Sequence, residues 1–305
     1  MKHLLTMEQL SREEILKILN LADQLKYERA NGIEHHLLKG KKLGMIFEKS
    51  SSRTRVSFET GMYELGGYPL FLSSRDLQIG RGEPVEDTAR VFSRYLDGVM
   101  IRTYKQQEVE DFAKYGSIPV INALTDYAHP CQVLADLMTI REHKGSFNGL
   151  KVTFIGDGNN MANSIIVGAL KLGMKASIAS PKGYEVCSHI QEFAKQYPGM
   201  FEMTNDPFVA AKNADVIFTD VWASMGEEAE REERCKVFGG VYQVNKELLK
   251  VANPNCMVQH CLPAHRGEEI TADVFEEHAN EIFDEAENRL HAQKAVLVML
   301  LGDKK

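Results

Sequence analysis

The sequence predicts an α/β protein built from two doubly wound parallel-sheet domains that are joined by helices. Short apolar runs alternate with helix-period segments along all 305 residues. Strand–helix alternation of this kind is typical of parallel sheets with helices on both faces. The alternation occurs in two series, separated by the Gly-containing segment 145–149. A chain of this length is expected to form about two domains.

The first series begins with a helix, because Ser11 and Glu14 have the spacing of a capping box. Its apolar positions, which we expect to be buried, are Ile15, Leu16, Ile18 and Leu19. Four β-like runs follow, at Leu43–Phe47, Tyr68–Leu72, Gly98–Ile101 and Ile118–Asn122. Helix-period segments separate them, at about residues 53–65, 86–96 and 105–114.

The second series contains five β-like runs, again with helices between them. They lie at Lys151–Ile155, Ala176–Ala179, Phe201–Thr204, Val216–Thr219 and Met257–Gln259. A final helix is predicted over 285–301, and we expect it to pack back on the first domain. The predicted domains are therefore residues 1–145 together with 285–305, and residues 146–284.

Composition excludes several classes of protein. The net charge is −7 with both signs interspersed, so a broad nucleic-acid-binding face is not expected. The apolar run 295–301 is too short to span a bilayer, and the N-terminus lacks the apolar segment of a signal peptide. Five cysteines, odd in number and without CxxC spacing, indicate reduced thiols. We expect a cytoplasmic protein with neither membrane nor nucleic-acid partners.

The loop after the first strand has the features of an anion site. Ligands of open parallel sheets bind beyond the carboxyl ends of the strands. There, Ser50–Ser52 precede a predicted helix that carries Arg53 and Arg55 in its first turn. Serine caps, backbone N–H groups, the helix dipole and two guanidinium groups all favour a phosphate. The alternative for such a cluster is a solvated, capped helix with no ligand.

A second polar loop is His129-Pro130-Cys131-Gln132. Pro130 suits the first position of a helix, which places His129 at the cap and Gln132 one turn further on. A neutral imidazole and an amide can together bond a carbonyl oxygen and an NH2 group. Arg102, at the end of a neighbouring strand, adds a cation. A structural turn is the alternative interpretation of the His-Pro pair.

Five segments together resemble one family. Ser51-Ser52-Arg53-Thr54-Arg55 and His129-Pro130-Cys131-Gln132 resemble the carbamoyl phosphate signature (Ser-x-Arg-Thr-Arg, His-Pro-x-Gln) of the aspartate/ornithine carbamoyltransferase family. Asp220–Gly226 and His260–Pro263 are similar to the Asp-x-x-x-Ser-Met-Gly and His-Cys-Leu-Pro loops of its ornithine-specific members. Glu287-Asn288-Arg289 opens the predicted last helix where the family has another arginine. The resemblance covers essentially the whole chain.

The resemblance implies transfer of the carbamoyl group of carbamoyl phosphate to the side-chain amine of ornithine, by direct attack in a cleft between the domains. The implied carbamoyl phosphate ligands are Ser51, Ser52, Arg53, Thr54, Gln78, Arg102, His129, Gln132 and Arg289. The implied ornithine ligands are Asn160, Asp220, Ser224, Met225, Cys261 and Leu262. Arg102, His129 and Cys261 would be catalytic, without a cofactor or a metal.

In the family, the loop that carries Gln78 reaches the active site of a neighbouring subunit, so the resemblance implies a homotrimer with shared sites. The residues themselves favour ornithine over aspartate. Asp220 can pair with an ammonium group, whereas an aspartate site should present additional cations for a second carboxylate. The metabolic direction, arginine biosynthesis or the degradative arginine deiminase pathway, stays open.

Five other functions are less well supported by the residues. A nicotinamide-dependent dehydrogenase needs a third glycine where Met161 stands. Thiol catalysis by Cys261 is unnecessary because carbamoyl phosphate is already activated. Zinc binding by Cys261 with His260 or His265 lacks the spacing of a closed site. A regulatory pseudo-enzyme would not need the intact ligand set. A relative that carbamoylates another amine, such as putrescine, is the strongest alternative.

Overall fold

The computed structural model describes residues 1–223 and 228–302. Its chain divides into two compact units. The N-terminal unit consists of Met1–Met138 and the residues from Asn288 onward, and the C-terminal unit is Thr139–Glu287. The chain passes from one unit to the other within two helices. The functional domain boundaries at residues 145 and 284 stay a prediction.

The bounds of the elements follow the chain. In the first part they are α1 (Arg12–Ala30), β1 (Lys42–Phe47), α2 (Ser52–Glu64), β2 (Tyr68–Ser73), α3 (Val85–Tyr95), β3 (Gly98–Arg102), α4 (Gln106–Tyr115), β4 (Val120–Leu124) and α5 (Pro130–Lys144). Then come β5 (Lys151–Ile155), α6 (Asn160–Leu172), β6 (Lys175–Ala179), α7 (Ser188–Ala194), β7 (Phe201–Thr204), α8 (Pro207–Ala211) and β8 (Val216–Thr219). The last are α9 (Arg231–Phe238), α10 (Lys246–Leu249), β9 (Met257–His260), α11 (Ala272–Glu277) and α12 (Ala279–Leu301). Short 3-10 helices lie at Ile79–Arg81 and Glu228–Glu230.

Each unit has its own parallel sheet. The N-terminal sheet has the order β2-β1-β3-β4, and the C-terminal sheet has the order β7-β6-β5-β8-β9. All of the strand pairs are parallel. The predicted fold class, two doubly wound parallel-sheet domains, is confirmed. The strand order reverses between β1 and β3 and again between β5 and β8, and ligands of such sheets bind at these switch points.

The first helix forms as its sequence predicts. The Ser11 hydroxyl accepts a hydrogen bond from the Glu14 N–H at 3.1 Å, and the Glu14 carboxylate accepts one from the Ser11 N–H at 3.0 Å. This capping box satisfies two backbone donors that a helix start would otherwise leave unpaired. Ile15, Ile18 and Leu19 are buried as expected. Leu16 is only partly buried, because it lies at the edge of the apolar stripe.

Each unit has a hydrophobic core that packs against the strands of its own sheet. In the N-terminal unit, Ile46, Val99 and Val120 from three strands meet Ala89 of α3 and Phe112 of α4. In the C-terminal unit, Ile155, Ile217 and Val258 belong to one cluster with aromatic side chains from the loops and helices. These aromatic side chains are Trp222, Phe238 and Tyr242. Strands buried in this way hold the loops at their carboxyl ends in place.

Two elements begin more than one residue away from their predicted starts. β4 begins at Val120 instead of residue 118, because Pro119 has no N–H to donate to the ladder; its carbonyl still accepts from Val99 at 3.0 Å. The last helix begins at Ala279 instead of about 285. Its early carboxylates, Glu281 and Glu285, accept hydrogen bonds from backbone N–H groups of β9. Those tertiary bonds stabilise a start that helical periodicity alone does not indicate.

Packing of the last helix on the N-terminal unit is confirmed. Lys294 is fully buried, and its ammonium group contacts Glu64 at 2.5 Å and His35 at 2.6 Å. The Gln293 amide oxygen accepts from Ser57 at 2.7 Å. In the part of the chain that the structure describes, no helix is long and apolar enough to cross a membrane.

A substitution at Gly158 tests how closely the chain packs just before α6. A Cβ at this position would lie 2.3 Å from the backbone carbon of Glu185 and the backbone nitrogen of Val186, so the backbone would have to shift. We predict that Gly158→Ala lowers the free energy of unfolding by roughly 1–3 kcal/mol, as measured by calorimetry.

Gly98→Ala is the matched control. Its Cβ would meet only the flexible side chain of Leu301, at 3.1 Å, and should therefore be accommodated with a smaller loss. Equal stability of the Gly158→Ala variant and the wild type would contradict the close contact between Gly158 and the backbone of Glu185 and Val186.

Candidate active site

The loop after β1 ends at a capped helix. Ser51 is the N-cap of α2, and its hydroxyl accepts from the Thr54 N–H at 3.2 Å. Ser52 and Arg53 occupy the first two helical positions and are exposed, whereas Thr54 is fully buried. A 13-residue helix directs the positive end of its dipole at this loop. The exposed donors and the dipole can bind an anion.

Strand β3, on the other side of the switch point, holds the loop after β1 in place. Arg102 ends β3 and is buried, and its Nε donates to the Lys49 carbonyl at 3.2 Å. In return, the Arg102 carbonyl accepts from the N–H groups of Glu48 at 2.9 Å and Lys49 at 3.4 Å. Lys49 is itself buried and lies 3.3 Å from a carboxylate oxygen of Asp126. Two cationic side chains therefore converge where the strand order reverses.

The start of α5 contributes His129 and Gln132. Pro130 is the first residue of the helix, as predicted, and the His129 carbonyl accepts from the Gln132 N–H at 3.1 Å. The Gln132 amide is buried and donates to Asp136 at 2.9 Å. Its oxygen accepts from Nη1 of Arg289 at 2.6 Å. The amide is therefore fixed in one orientation.

Arg289 joins three helices. It lies in the interior of α12, ten residues after the start, so the prediction that it opens the helix is wrong. Its guanidinium group donates to Gln132 of α5 and, at 3.3 Å, to the Thr54 hydroxyl of α2. Only 4% of Arg289 is exposed. A buried guanidinium group needs several acceptors, and Nη1 and Nη2 of Arg289 each donate to one.

His129 is held in its neutral form. Burial lowers its pKa well below the usual 6.5, and the cationic Arg289, Arg102, Lys49 and Arg53 lower it further. A neutral imidazole has one N–H donor and one acceptor nitrogen. It can therefore donate a hydrogen bond to a carbonyl oxygen without adding another positive charge.

Gln78 lies on another loop of the N-terminal unit. It follows β2, immediately before the 3-10 helix Ile79–Arg81, and its side chain is exposed. Its carbonyl accepts from Arg81 at 2.8 Å and from Glu83 at 3.0 Å. Hydrogen bonds from Arg289 connect it directly to the predicted ligands Thr54 and Gln132. The predicted ligand Gln78, in contrast, is exposed on the surface of the unit.

The switch point of the C-terminal sheet carries a second polar group. Asn159 caps α6 by accepting from the N–H groups of Met161 at 2.9 Å and Ala162 at 3.2 Å. Its amide nitrogen donates to Asp220 at 3.0 Å. The predicted ligand Asn160 is the first residue of the helix and is partly exposed. Asn159 therefore links the loop after β5 to the loop after β8.

Asp220 lies between Asn159 and a cysteine. Its Oδ1 accepts from the thiol of Cys261 at 3.2 Å and from the N–H of Val221 at 2.8 Å. The carboxylate is nine-tenths buried, and Cys261 is partly exposed. A largely buried carboxylate beside an accessible thiol provides a negative wall for a cationic ligand.

The Cys261 loop is fixed by a buried pair. Nδ1 of His260 accepts from the Leu262 N–H at 3.0 Å, so Nε2 carries the hydrogen that faces Glu269 at 3.0 Å. Glu269 also accepts from the His265 N–H at 2.6 Å. Leu262 has a φ of 57°, a left-handed conformation that is unfavourable for a non-glycine residue and that the His260 bond stabilises.

A largely buried ion pair supports the loop after β5. Arg234 of α9 donates to Asp157 at 2.6 Å and to the Trp222 carbonyl at 3.1 Å. The sequence did not predict Arg234, Asn159 or the role of His260. The Asn-Asn pair at the start of a helix was a signal for a cap, but nothing local indicated the partner of Arg234. The predicted ligands Ser224 and Met225 lie outside the described residues.

Metal binding by the Cys261 cluster is disfavoured by its hydrogen bonds. Ligand atoms of Asp220, His260 and Cys261 lie within 4.8 Å of one another. Both ring nitrogens of His260, however, are already engaged, one with Leu262 and the other with Glu269. A metal ion would have to replace one of these bonds.

The chain matches two family models. Residues 2–142 match the carbamoyl-P binding domain of aspartate/ornithine carbamoyltransferases, and residues 148–300 match the Asp/Orn binding domain. The fold and the two switch-point sites thus define a two-domain transferase. The chain belongs to the aspartate/ornithine carbamoyltransferase family and is a carbamoyltransferase, which confirms the predicted family and class of enzyme.

Several relatives are similar over their whole length. Ornithine carbamoyltransferase from Carboxydothermus hydrogenoformans is 55% identical over 302 residues, which cover 98% of this chain and 97% of that protein. The solved structure of ornithine carbamoyltransferase from Pyrococcus furiosus has a TM-score of 0.94 and 52% identity, covering 100% of this chain and 98% of that one. The anabolic ornithine carbamoyltransferase from Campylobacter jejuni has a TM-score of 0.92 and 48% identity, covering 98% and 99% respectively.

The lowered pKa of His129 predicts a pH dependence of stability. As the pH falls through 6.5, the unfolded chain takes up a proton at this residue and the folded chain does not. The free energy of unfolding should therefore decrease on acidification, by up to about 1.4 kcal/mol per pH unit from this residue.

The measurement is urea unfolding of the wild type and of His129→Gln between about pH 8 and about pH 5. His3 and His35, whose pKa values are also lowered, remain in both proteins. The variant should show the shallower decrease with acidification. Parallel curves would contradict the burial of a neutral His129.

Proposed function

We propose that this protein transfers the carbamoyl group of carbamoyl phosphate to the side-chain amine of L-ornithine, giving L-citrulline and phosphate. The observation that carries the proposal is the buried Arg289, which holds Gln132 and Thr54 beside the neutral His129. The names of the similar proteins support ornithine as the acceptor. The similar proteins called anabolic, from P. furiosus and C. jejuni, support a biosynthetic direction, toward arginine.

The phosphate group binds at the start of α2. Ser51, Ser52, Arg53 and Thr54 offer hydroxyl, guanidinium and backbone N–H donors there, in the field of the helix dipole. The exposure of Ser52 and Arg53 makes their donors accessible to a ligand. An arginine at this position supplies a planar fork that matches phosphate oxygens.

The carbamoyl group is oriented by the residues behind it. Arg102, His129 and Thr54 surround the carbonyl oxygen and stabilise the negative charge that develops on it in the tetrahedral intermediate. The amide oxygen of Gln132, which Arg289 orients, is a hydrogen-bond acceptor suited to the carbamoyl NH2. Since Arg289 and Asp136 fix the amide, little reorganisation accompanies binding.

Ornithine is held in the C-terminal unit. Asp220 pairs with the α-ammonium group, and Asn160, Ser224, Met225 and Leu262 complete the pocket by resemblance to the family. Asn159 donates to one carboxylate oxygen of Asp220, and Cys261 donates to the other. These bonds set the direction in which the carboxylate faces its ligand. Asn159 is therefore a positioning residue for the ammonium site.

The transfer proceeds without a covalent enzyme intermediate. The thiol of Cys261 points its hydrogen at Asp220, an arrangement that orients an incoming amine rather than presenting a free thiolate. Ornithine must attack as the neutral amine, although an amine of this type has a pKa of about 10.4. The departing phosphate accepts the proton that the amine loses, so a dedicated strong base is unnecessary.

The assembly is a homotrimer in which Gln78 completes the site of a neighbouring subunit. The exposed position of Gln78 supports this. The edge strand β2 and the outer face of α2 also expose large apolar side chains, which a partner subunit would cover. These side chains are Val56, Tyr63, Tyr68 and Phe71. Five free cysteines support a reducing compartment, the cytoplasm.

The direct test is citrulline formation by the purified full chain from carbamoyl phosphate and ornithine. Putrescine at equal concentration is the competing acceptor, because it lacks the α-ammonium and carboxylate groups for which Asp220 and its neighbours are suited. We expect kcat/KM to be at least about 100-fold higher for ornithine. Equal or faster use of putrescine would overturn the proposed acceptor.

Arg53→Ala tests the phosphate site. Loss of the guanidinium should reduce kcat/KM for carbamoyl phosphate by at least about 100-fold, because the group contacts the ligand charge directly. Its exposed position means that Tm should not change.

Arg12→Ala is the matched control, since Arg12 is likewise exposed in the first turn of a helix, α1. It should keep the activity of the wild type. Near-normal activity of Arg53→Ala would contradict binding of the phosphate group at the start of α2.

A further inference from the structure

One lysine contacts the segments at the carboxyl ends of three adjacent strands. Lys49 lies in the loop after β1, and its backbone N–H donates to the carbonyl of Arg102, the last residue of β3, at 3.4 Å. Its Nζ lies 5.0 Å from the ring centroid of Tyr104, in the loop after β3, and 3.3 Å from Oδ1 of Asp126, in the loop after β4. Because β1, β3 and β4 lie side by side in the sheet, Lys49 links all three strand ends.

Burial makes this lysine unusual. Only 7% of Lys49 is exposed, whereas lysine side chains commonly keep the ammonium group in water. A buried ammonium group needs a partner, and the carboxylate of Asp126 is within ion-pair distance of it. The ring face of Tyr104 adds a cation–π contact. The ammonium group is therefore positioned by the loops after β3 and β4.

The loop after β4 can transmit this constraint to His129. The Thr125 N–H donates to the Ala128 carbonyl at 2.9 Å, and the Ala128 N–H donates to the Thr125 hydroxyl at 3.1 Å. These bonds close a turn that contains Asp126, whose own N–H donates to the Tyr104 carbonyl at 2.8 Å. His129 follows this turn directly. Its position therefore depends on where Asp126 is held.

The charge of Lys49 also acts on His129. Burial is the largest cause of the lowered pKa of this imidazole, and Lys49 is one of the cations that lower it further, after Arg289 and Arg102. A second positive charge beside Lys49 is thus disfavoured. The lysine favours the neutral form of His129, which can donate one hydrogen bond to a carbonyl oxygen.

We propose that Lys49 is a positioning residue for carbamoyl transfer, which pairs with Asp126 and thereby places His129 relative to the phosphate donors at the start of α2. This inference rests on the proposed function and adds to it a residue that acts through His129. In that function, His129 stabilises charge that develops in the transition state, so a displaced imidazole should lower kcat. A displacement of about 1 Å can reduce the rate by about 100-fold.

The test measures phosphate release by the purified full chain with carbamoyl phosphate and ornithine, or with putrescine if the wild type prefers it. Lys49→Met keeps the apolar stem and removes the charge, and Asp126→Asn removes the partner. Each should lower kcat by at least about tenfold and change KM for the acceptor by less than about twofold. We express kcat per carbamoyl phosphate site counted by calorimetry, so that misfolded molecules do not contribute.

Double variants test whether Lys49 acts through the proposed partners. Lys49→Met in the His129→Gln background should lower kcat by less than about twofold, because the imidazole that it positions is already absent. Lys49→Met combined with Asp126→Asn should likewise be no more than about twofold slower than the slower single variant. A purely structural role would not give this pattern, since losses of stability from separate causes add.

Lys42→Met is the matched control. Lys42 begins the same strand, β1, at its opposite end, and its Nζ pairs with Asp97 at 2.9 Å. This variant should keep the kcat of the wild type.

Two results would overturn the role of Lys49 alone: wild-type kcat in Lys49→Met or in Asp126→Asn, or losses that multiply in the double variants. A wild type that releases phosphate with neither acceptor would contradict the proposed function, and the role of Lys49 with it.

Discussion

The buried guanidinium group of Arg289 is the interaction on which the first site depends. It donates to Gln132 and Thr54, which lie 157 and 235 positions away in the sequence. A buried cation that loses its acceptors is strongly destabilising, so each of these bonds constrains the helix that carries its acceptor. The last helix must therefore dock on α2 and α5 for the site to exist. The same charge, together with burial, keeps His129 neutral.

Sheet topology explains why each unit has one such site. In both sheets the strand order reverses beside the first strand of the unit's series, β1 or β5. Two loops at that point diverge to opposite faces of the sheet and leave a crevice between them. In the N-terminal unit the loops carry Ser51 and Arg102, and in the C-terminal unit they carry Asn159 and Asp220. The residue types differ, and so does the charge that each crevice presents.

The sequence was sufficient to predict the elements that depend on local patterning. The capping box at Ser11, the apolar strands and the helix start at Pro130 are determined by neighbours within a few residues, and the structure confirms them. The start of the last helix could not be predicted, because Glu281 and Glu285 are stabilised by β9 rather than by helical periodicity.

The residues of the candidate site divide in the same way, into those that the sequence indicated and those that depend on tertiary contacts. Family resemblance identified Thr54, Gln132 and Arg289, and the structure brings these three into direct contact. It did not identify Asn159, which binds Asp220 from 61 positions away, or Arg234, which binds Asp157 from 77 positions away. Such partners become neighbours only when separate strands and helices pack, so no local sequence pattern predicts them.

Calorimetric binding of carbamoyl phosphate to Arg289→Lys tests the central role of this guanidinium most directly. Lysine keeps the positive charge but has no planar fork with which to hold Gln132 and Thr54 together. Affinity for carbamoyl phosphate should fall by at least about tenfold, with the variant still folded by circular dichroism. An affinity equal to that of the wild type would show that charge alone is sufficient and that the orientation imposed by Arg289 is not required.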